Sequence, residues 1–140
     1  MAKVTKSKKK TDQELIVDAN EAMNRAIAPY SNFQVGAALE CENGEIITGH
    51  NIESSSYSLT LCAERVAIFK ALSEGHRSFK RIAIVASSGE ICTPCGACRQ
   101  ILADFAPKAK IILSNKQGKM KRFQLRELLP HQFDASVLKS

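Results

Sequence analysis

Hydrophobic positions recur at helical spacing early in the chain and then at strand spacing, and this pattern predicts the first elements. A helical period covers residues 15–27, behind a capping box in which Thr11 is the N-cap and Glu14 reaches back. A period of two follows over residues 33–41, and Asn43-Gly44 is typical of a hairpin turn. The chain is therefore predicted to begin with a helix and a β-hairpin.

The second half of the sequence predicts further helices and strands in alternation. Residues 61–74 are apolar nearly all round, which indicates a buried helix that ends at Gly75. Residues 82–86 are continuously apolar, as in a central strand that is covered on both faces. The remaining predicted elements are a helix at about 95–105, a strand near 110–114, an edge strand near 120–124 and a short helix at 125–129. This order predicts an α/β sandwich with right-handed crossovers.

The length and composition of the chain indicate one globular domain. Its 140 residues are 44% hydrophobic, which is enough for a sizeable core. No apolar run approaches the roughly 20 residues that a membrane span needs. The N-terminus lacks an apolar stretch after its lysines and so does not resemble a secretory signal. We therefore expect a cytoplasmic protein.

The charge of the chain is concentrated at its N-terminus. The formal net charge is +6, and residues 1–10 hold five lysines and no acidic residue. The rest of the chain carries 15 basic and 14 acidic residues and is nearly neutral. We interpret residues 1–10 as a basic disordered tail and residues 11–140 as the folded domain. The alternative for the tail is contact with nucleic acid or with a partner protein.

The cysteine pattern indicates a metal site. The chain has five cysteines, an odd number, and three of them fall within residues 92–98, which favours metal binding over disulfides. Cys95 and Cys98 are three residues apart near the start of a predicted helix, so both sulfurs lie on one face. Pro94 suits the first turn of that helix. The positive end of the helix favours thiolate, and two convergent thiolates favour zinc.

A third ligand is available at the start of the preceding helix. Cys62 opens that helix, and three protein ligands would leave the fourth zinc position to water, as in catalytic sites. Glu64 follows closely, where a carboxylate is placed for proton transfer. Because residues i and i+2 of a helix do not face each other, Cys62 must act from the very first helical position.

A sealed structural site is the alternative to this open one. Cys92 or Cys41 would then be the fourth ligand, but a buried Glu64 and Arg65 would have no explanation. We therefore favour the open site and interpret Cys92 and Cys41 as small apolar strand residues.

Arg65 is a candidate for charge compensation. Three thiolates and one Zn²⁺ sum to −1, which opposes the acidification of water by the metal. Arg65 is three residues after Cys62 and can donate hydrogen bonds to thiolate sulfurs. The alternative is an ordinary surface arginine.

Four motifs together resemble the cytidine deaminases, in their small homotetrameric form with three cysteine ligands. The motifs are Phe33-x-Val35-Gly36-Ala37-Ala38, Asn51-Ile52-Glu53, Cys62-Ala63-Glu64-Arg65 and the run from Pro94 through Cys98 to Gln100. The resemblance covers roughly residues 12–133. It implies a three-layer αβα sandwich around a mixed five-stranded sheet and one zinc per subunit, held by Cys62, Cys95 and Cys98. It also implies hydrolytic deamination of cytidine and deoxycytidine to uridine and deoxyuridine plus ammonia, in pyrimidine salvage.

The resemblance further implies roles for individual residues. Glu64 would move protons between the attacking water, the ring nitrogen and the departing amine. Asn51 and Glu53 would hold ribose hydroxyls, because an amide and a carboxylate together donate and accept. The remaining implied roles are Phe33 against the pyrimidine, the backbone near Ala63 and Thr93–Cys95 reading the base, Phe133 reaching an adjacent subunit's site, and Tyr57 at a subunit contact.

Other functions remain open at this point. The same chemistry could act on a blasticidin-type antibiotic or on a base in RNA or DNA, and a different class is a zinc-stabilised nucleic-acid-binding module that uses the tail. Glu53 would repel a nearby phosphate, and a polynucleotide editor would carry a basic face within the fold. A free nucleoside is therefore favoured over nucleic acid. The alternatives for single residues are strand core for Phe33, a terminal anchor for Phe133 and a turn former for Asn51.

Overall fold

The computed structural model describes residues 9–139, so residues 1–8 of the predicted basic tail lie outside the described residues. The helices are α1 (Asp12–Met23), α2 (Ala63–Ser73), α3 (Gly96–Phe105) and α4 (Leu125–Leu128). The strands are β1 (Val35–Cys41), β2 (Ile46–His50), β3 (Phe79–Ala86), β4 (Lys110–Ser114) and β5 (Met120–Phe123). Two 3-10 turns, Tyr57–Leu59 and Ala135–Lys139, complete the described regular structure, and neither was predicted from the sequence.

The five strands form one mixed sheet in the order β2-β1-β3-β4-β5. β3 and β4 are parallel, and every other neighbouring pair is antiparallel. β3 lies at the centre, which confirms the prediction made from its continuous apolar run. The mixed five-stranded sheet that the resemblance implied is also confirmed.

Helices cover both faces of the sheet. Alternate residues of β3 divide between the two sides: Ala83 and Val85 pack in a cluster with α1, whereas Ile82 and Ile84 pack in a cluster with α2, α3 and α4. This alternation follows from the period-two geometry of a strand. The fold is therefore the three-layer αβα sandwich that was expected. None of the helices in residues 9–139 has the length and apolar character needed to cross a membrane.

One prediction about α2 is wrong. Its nearly uniform apolar character suggested a helix buried on all sides, but Phe69 is 39% exposed and Val66 and Leu72 are only half-buried. The reason is geometric, because an outer layer of a three-layer sandwich meets the sheet with one face only. The other face of α2 is left apolar and partly open.

The start of α1 is tied to the sheet by a buried arginine on β3. Arg81 donates to the Glu40 carboxylate from Nε and Nη2, at 2.8 and 2.7 Å, and to Asp12 from Nη1 at 2.8 Å. Its Nη2 also donates to the backbone carbonyl of Lys10 at 2.7 Å, and Asp12 accepts a further hydrogen bond from Arg122. Lys10, placed in the tail by its sequence, is thus in contact with the domain.

Candidate functional site

Three cysteine sulfurs meet where two helices begin. Cys62 is the N-cap of α2, Cys95 is the N-cap of α3, and Cys98 is the third residue of α3. Their sulfurs all lie within 4.8 Å of one another, and the Cys62 and Cys95 sulfurs are 3.8 Å apart. Cys62 thus stands at the start of its helix, as a ligand role would require. Pro94 precedes the N-cap of α3, so its predicted place in the first helical turn is wrong.

The sulfur separations fit one zinc ion. Zinc–thiolate bonds of about 2.3 Å in a tetrahedral arrangement require sulfurs about 3.8 Å apart. In residues 9–139, neither Cys41 nor Cys92 joins the cluster: Cys41 is buried in β1, and Cys92 lies in the loop before α3. The interpretation of Cys92 as a strand residue is therefore wrong. Three sulfurs leave one tetrahedral position without a protein ligand, as in catalytic zinc sites.

The surroundings of Cys62 favour its thiolate form. The Cys98 thiol and the Arg65 guanidinium donate hydrogen bonds to the Cys62 sulfur and lower the pKa of Cys62 to about 5, against the effect of burial. Arg65 Nη2 lies 3.5 Å from that sulfur and 3.4 Å from the Thr60 carbonyl oxygen. Its Nε is buried without a hydrogen-bond partner. The structure thus places the positive charge of Arg65 directly beside the sulfur cluster.

Glu64 is the second residue of α2 and is almost completely buried, with 4% of its surface exposed. Burial raises the pKa of its carboxyl group to about 7. A carboxyl group with such a pKa exists in both protonation states near neutral pH, which suits a group that must take up a proton and return it.

Close contact between β2 and α2 sets the position of Glu64 and Cys62. Gly49 of β2 lies under the first turn of α2, where a Cβ would stand 2.6 Å from the carbonyl oxygen of Ala63. Because only glycine leaves this space, the strand and the start of the helix approach more closely than side chains would allow. The hydrophobic periodicity of the sequence does not indicate this contact.

A cavity of about 210 Å³ lies beside the cluster. It is lined by Phe33, Val35, Asn51, Thr60, Cys62, Glu64, Ile84, Ala86, Cys92, Thr93, Pro94 and Cys95. The structure therefore brings Phe33, Asn51 and Glu64 together with two of the cluster's cysteines, although these residues are far apart in the sequence. The cavity lining does not include Glu53, Ala63 or Phe133.

Asn51 and Glu53 hold the loop that carries Phe33. The Asn51 side chain accepts from the Val35 backbone N–H at 2.9 Å and donates to the Phe33 carbonyl oxygen at 2.8 Å. Glu53 Oε1 accepts from the N–H groups of Tyr30 and Ser31 at 3.0 and 3.1 Å. Hydrogen bonds from Ser31, through its hydroxyl and its N–H, and from the Tyr30 N–H lower the pKa of Glu53, so it is ionised at neutral pH.

Two other expected aromatic residues lie at the surface of the chain. Phe133 is 58% exposed, and its carbonyl oxygen accepts from Gln100 Nε2 at 3.0 Å. Tyr57 is 73% exposed and packs edge-on against Tyr30, with ring centroids 5.6 Å apart. Neither lines the cavity of its own chain.

Several residues at the site were missed by the sequence interpretation. Thr60 and Cys92 line the cavity, and Ser31 binds Glu53. The sequence position of Cys92 was a usable signal, because a residue three positions before Cys95 lies close to the cysteine cluster. The sequence interpretation allowed for Cys92 as a ligand or as a strand residue, and not as part of a cavity wall. Ser31 and Thr60 lie in polar loops, where no hydrophobic pattern distinguishes one residue from the next.

Comparison with known proteins shows which proteins this chain is similar to. The model for the cytidine and deoxycytidylate deaminase zinc-binding region matches residues 9–114, which include all three clustered cysteines. The cytidine deaminase of Halalkalibacterium halodurans is 50% identical over 124 residues, or 88% of this chain and 94% of that protein. The blasticidin-S deaminase of Bacillus cereus is 32% identical over 130 residues, or 87% of this chain and 91% of that protein.

A solved structure agrees with the sequence relatives. The crystal structure of cytidine deaminase from Burkholderia pseudomallei superposes with a TM-score of 0.86 at 42% sequence identity. The match covers 89% of this chain and 100% of that one. The likeness therefore extends over the whole sandwich and is not confined to the cysteine motifs.

Proposed function

The chain belongs to the cytidine and deoxycytidylate deaminase family, and on that premise we propose that it hydrolyses cytidine and deoxycytidine to uridine and deoxyuridine, with release of ammonia, in pyrimidine salvage. The observation that carries this proposal is the placement of the buried Glu64 and the three-cysteine cluster at one cavity. A sealed structural zinc site would have no use for a buried carboxyl group there.

Cys62, Cys95 and Cys98 would hold one zinc ion per chain. Zinc, when bound, supplies a Lewis acid that activates water at neutral pH. Arg65 and the positive ends of α2 and α3 offset part of the excess negative charge of three thiolates.

Glu64 would carry the protons of the reaction. As a carboxylate it accepts a proton from the water that attacks the amino-bearing ring carbon. It delivers that proton to the adjacent ring nitrogen and then assists proton transfer to the amine, which leaves as ammonia. The pKa of about 7 caused by burial suits this alternation, because neither the protonated nor the ionised form is strongly favoured at neutral pH.

The sugar contacts follow from the hydrogen-bonding capacity that Asn51 and Glu53 retain. The Asn51 side chain has one N–H and one lone pair left after its bonds to the loop, and Glu53 has one acceptor site left on Oε2 after its three bonds. These free groups can bind hydroxyls of the sugar, Asn51 as donor and acceptor and Glu53 as acceptor.

The base would be recognised by Phe33 and by the start of α2. Phe33 lines the cavity and is partly exposed, so its ring is available for stacking on the pyrimidine. The first N–H groups of a helix have no acceptor within the helix, so the backbone at Ala63 can donate to an oxygen of the base.

We also propose that four copies assemble, as the resemblance implies. The partly open apolar face of α2 and the exposed side chains of Tyr57, Phe133 and Leu138 give other subunits surfaces to cover. Phe133, which does not line its own chain's cavity, would reach that of a neighbour. Sedimentation analysis tests the assembly, and a fully active monomer would remove Phe133 from the site.

The cytoplasm is the proposed location, and residues 11–140 are the proposed catalytic domain behind the basic tail of residues 1–10. All five cysteines are free thiols, and three of them must stay reduced to bind zinc, as a reducing compartment ensures.

A second candidate substrate is blasticidin S, because a relative at 32% identity is a blasticidin-S deaminase. Ammonia release separates the candidates when cytidine, deoxycytidine, cytosine and blasticidin S are each given to zinc-loaded protein. We expect release from both nucleosides and little from cytosine, which leaves Asn51 and Glu53 without partners. No release from cytidine would refute the proposed function.

Glu64→Gln in the same assay tests the proton role. We expect a loss of activity on the order of 10²–10⁴-fold with the zinc content retained. A variant that kept most of its activity would remove Glu64 from catalysis.

A further inference from the structure

The hydroxyl of Ser31 connects Glu53 to the backbone of Phe33. Its oxygen accepts a hydrogen bond from the Phe33 N–H at 3.0 Å, and the hydroxyl also contacts Glu53 Oε2. The direction of both bonds is fixed by chemistry. A backbone N–H can only donate and a carboxylate can only accept, so the single hydroxyl proton must point at Glu53. The bonds run from the Phe33 N–H to the Ser31 oxygen, and from the Ser31 hydroxyl to the Glu53 carboxylate.

The backbone on either side of Ser31 strengthens this connection. The N–H groups of Tyr30 and Ser31 donate to the other oxygen of Glu53, so both carboxylate oxygens are fixed by one turn of chain. Asn32 follows with a φ of +57°, in the left-handed region that asparagine tolerates better than most residues. The chain thereby reverses between Ser31 and Phe33, and the Ser31 oxygen can meet the Phe33 N–H two residues on.

The consequence for the site is that two substrate contacts depend on one serine. The hydroxyl bond to Glu53 is charge-assisted and is polarised by the N–H that the same oxygen accepts, so each bond supports the other. Ser31 is itself exposed and is not among the residues that line the cavity. It therefore acts through Glu53 and Phe33, without a direct part in the chemistry.

We propose that Ser31 is a positioning residue that couples sugar recognition to base stacking, by holding the Glu53 carboxylate and the Phe33 backbone with one hydroxyl. This inference rests on the proposed function, in which Glu53 binds the sugar and Phe33 stacks on the base. It assigns a specificity role to a residue outside the zinc and proton machinery. It also explains why an exposed loop serine makes two hydrogen bonds across the base of the loop.

Ser31→Ala tests the proposal through the separation of KM from kcat. The variant frees one oxygen of Glu53 and leaves the Phe33 N–H without its acceptor. We expect the KM for cytidine to rise about tenfold, the size of one lost charge-assisted hydrogen bond, with kcat changed less than about twofold. The kcat/KM for free cytosine should change less than that for cytidine, because the base has no sugar for Glu53 to bind.

Two matched variants separate positioning from folding. Ser31→Thr keeps the hydroxyl and adds a methyl group at an exposed position, and it should restore the KM of the unmodified protein. Ser73→Ala removes an exposed serine hydroxyl at the far end of α2 and should change neither constant. A rise in KM that Ser31→Thr does not rescue, or an unchanged KM in Ser31→Ala, would overturn the proposal.

Amide hydrogen exchange gives a readout that does not depend on turnover. In Ser31→Ala the Phe33 amide should exchange about tenfold faster, whereas in Ser31→Thr it should exchange at the original rate. Unchanged exchange in Ser31→Ala would refute the positioning role even in an active enzyme. If the unmodified protein releases no ammonia from cytidine, the proposed function is wrong, and the exchange rates alone decide whether Ser31 holds the loop.

Discussion

Gly49 of β2 and Ala63 of α2 are in backbone contact that no side chain at position 49 would permit. A Cβ on Gly49 would lie 2.6 Å from the Ala63 carbonyl oxygen and 2.6 Å from the Ala67 backbone nitrogen. Cys62 and Glu64 flank Ala63 in the sequence, so the contact at Gly49 sets the position of a clustered cysteine and of the buried carboxyl group. A strand residue outside the cavity thus determines the geometry of the site.

Gly49→Ala should therefore disturb the site more than the addition of one methyl group would suggest. The added methyl group must push the first turn of α2 away from the sheet, because both nearby atoms belong to the backbone. We expect a loss of about 1–3 kcal/mol in the free energy of unfolding, as for other overpacked positions, together with reduced zinc content and at least a tenfold lower kcat/KM. Urea denaturation, metal analysis and the ammonia assay measure the three effects.

Gly89→Ala is the matched control for this experiment. A Cβ there would meet nothing nearer than 3.8 Å. Equal losses in the two variants would mean that the strand–helix contact has no special role at the site.

Zinc content should depend on three cysteines and be independent of the other two. Cys98 is fully buried within the cluster, so Cys98→Ala removes a ligand that no nearby sulfur can replace. We expect that variant to bind far less than one zinc per chain. Cys92→Ala and Cys41→Ala should each retain one zinc, since their sulfurs lie outside the cluster. Loss of zinc from Cys92→Ala would indicate the sealed four-cysteine site.

The order of elements could be predicted from the sequence because burial imposes periodicity on it. The alternation over residues 33–41 and the apolar run at residues 82–86 identified β1 and β3, including the central place of β3. The exposure of Phe69 could not be predicted in this way. An apolar side chain is equally apolar whether it faces the sheet, solvent or another subunit, so composition alone did not separate these cases.

The clustering of Cys62, Cys95 and Cys98 and the burial of Glu64 beside them were predictable for a different reason, since metal and proton chemistry demand particular residue types at particular spacings. The hydrogen bonds of Asn51 to Phe33 and Val35 were not predictable, because they join backbone groups that become neighbours only in the fold. The burial of Arg81 was not predictable either, because nothing in the sequence distinguishes it from an exposed arginine. Its burial follows from the pairing of β1 with β3, which places it opposite Glu40.

Arg65→Gln should lower activity and alter its pH dependence. Burial raises the pKa of Glu64 and the positive charge of Arg65 opposes that effect, so removal of the guanidinium raises the pKa of Glu64 further. We expect about a 10–100-fold loss of kcat/KM at neutral pH, the usual range for a residue that supports metal ligands, with the acid limb of the profile moved to higher pH. Arg126→Gln, at an exposed position on α4, is the control. If the pH dependence of kcat/KM were the same in Arg65→Gln as in the unmodified protein, Arg65 would have a packing role only.

The network around Arg81 should make stability fall at acid pH. Hydrogen bonds from Arg81 lower the pKa of Glu40, and those from Arg122 and Arg81 lower the pKa of Asp12 against the opposing effect of burial. For both carboxyl groups the folded state has the lower pKa. Their stabilisation is therefore complete above the unfolded values of about 4 and is lost as the pH falls through the folded values.

Glu40→Gln separates this network from the general acid sensitivity of the chain. It removes one partner of a buried ion pair, since the side chains of Arg81 and Glu40 are 7% and 5% exposed. We expect a loss of about 3–5 kcal/mol in the free energy of unfolding at pH 7. That loss should begin to shrink as the pH falls below about 4, where Glu40 becomes protonated in the unfolded chain, and it should disappear as the pH falls through the lowered pKa of the folded state. Urea denaturation from pH 3 to pH 7 measures it, with the exposed Glu42→Gln as control. A loss that stayed constant over this range would show that Glu40 stabilises the fold by packing and that its charge contributes nothing.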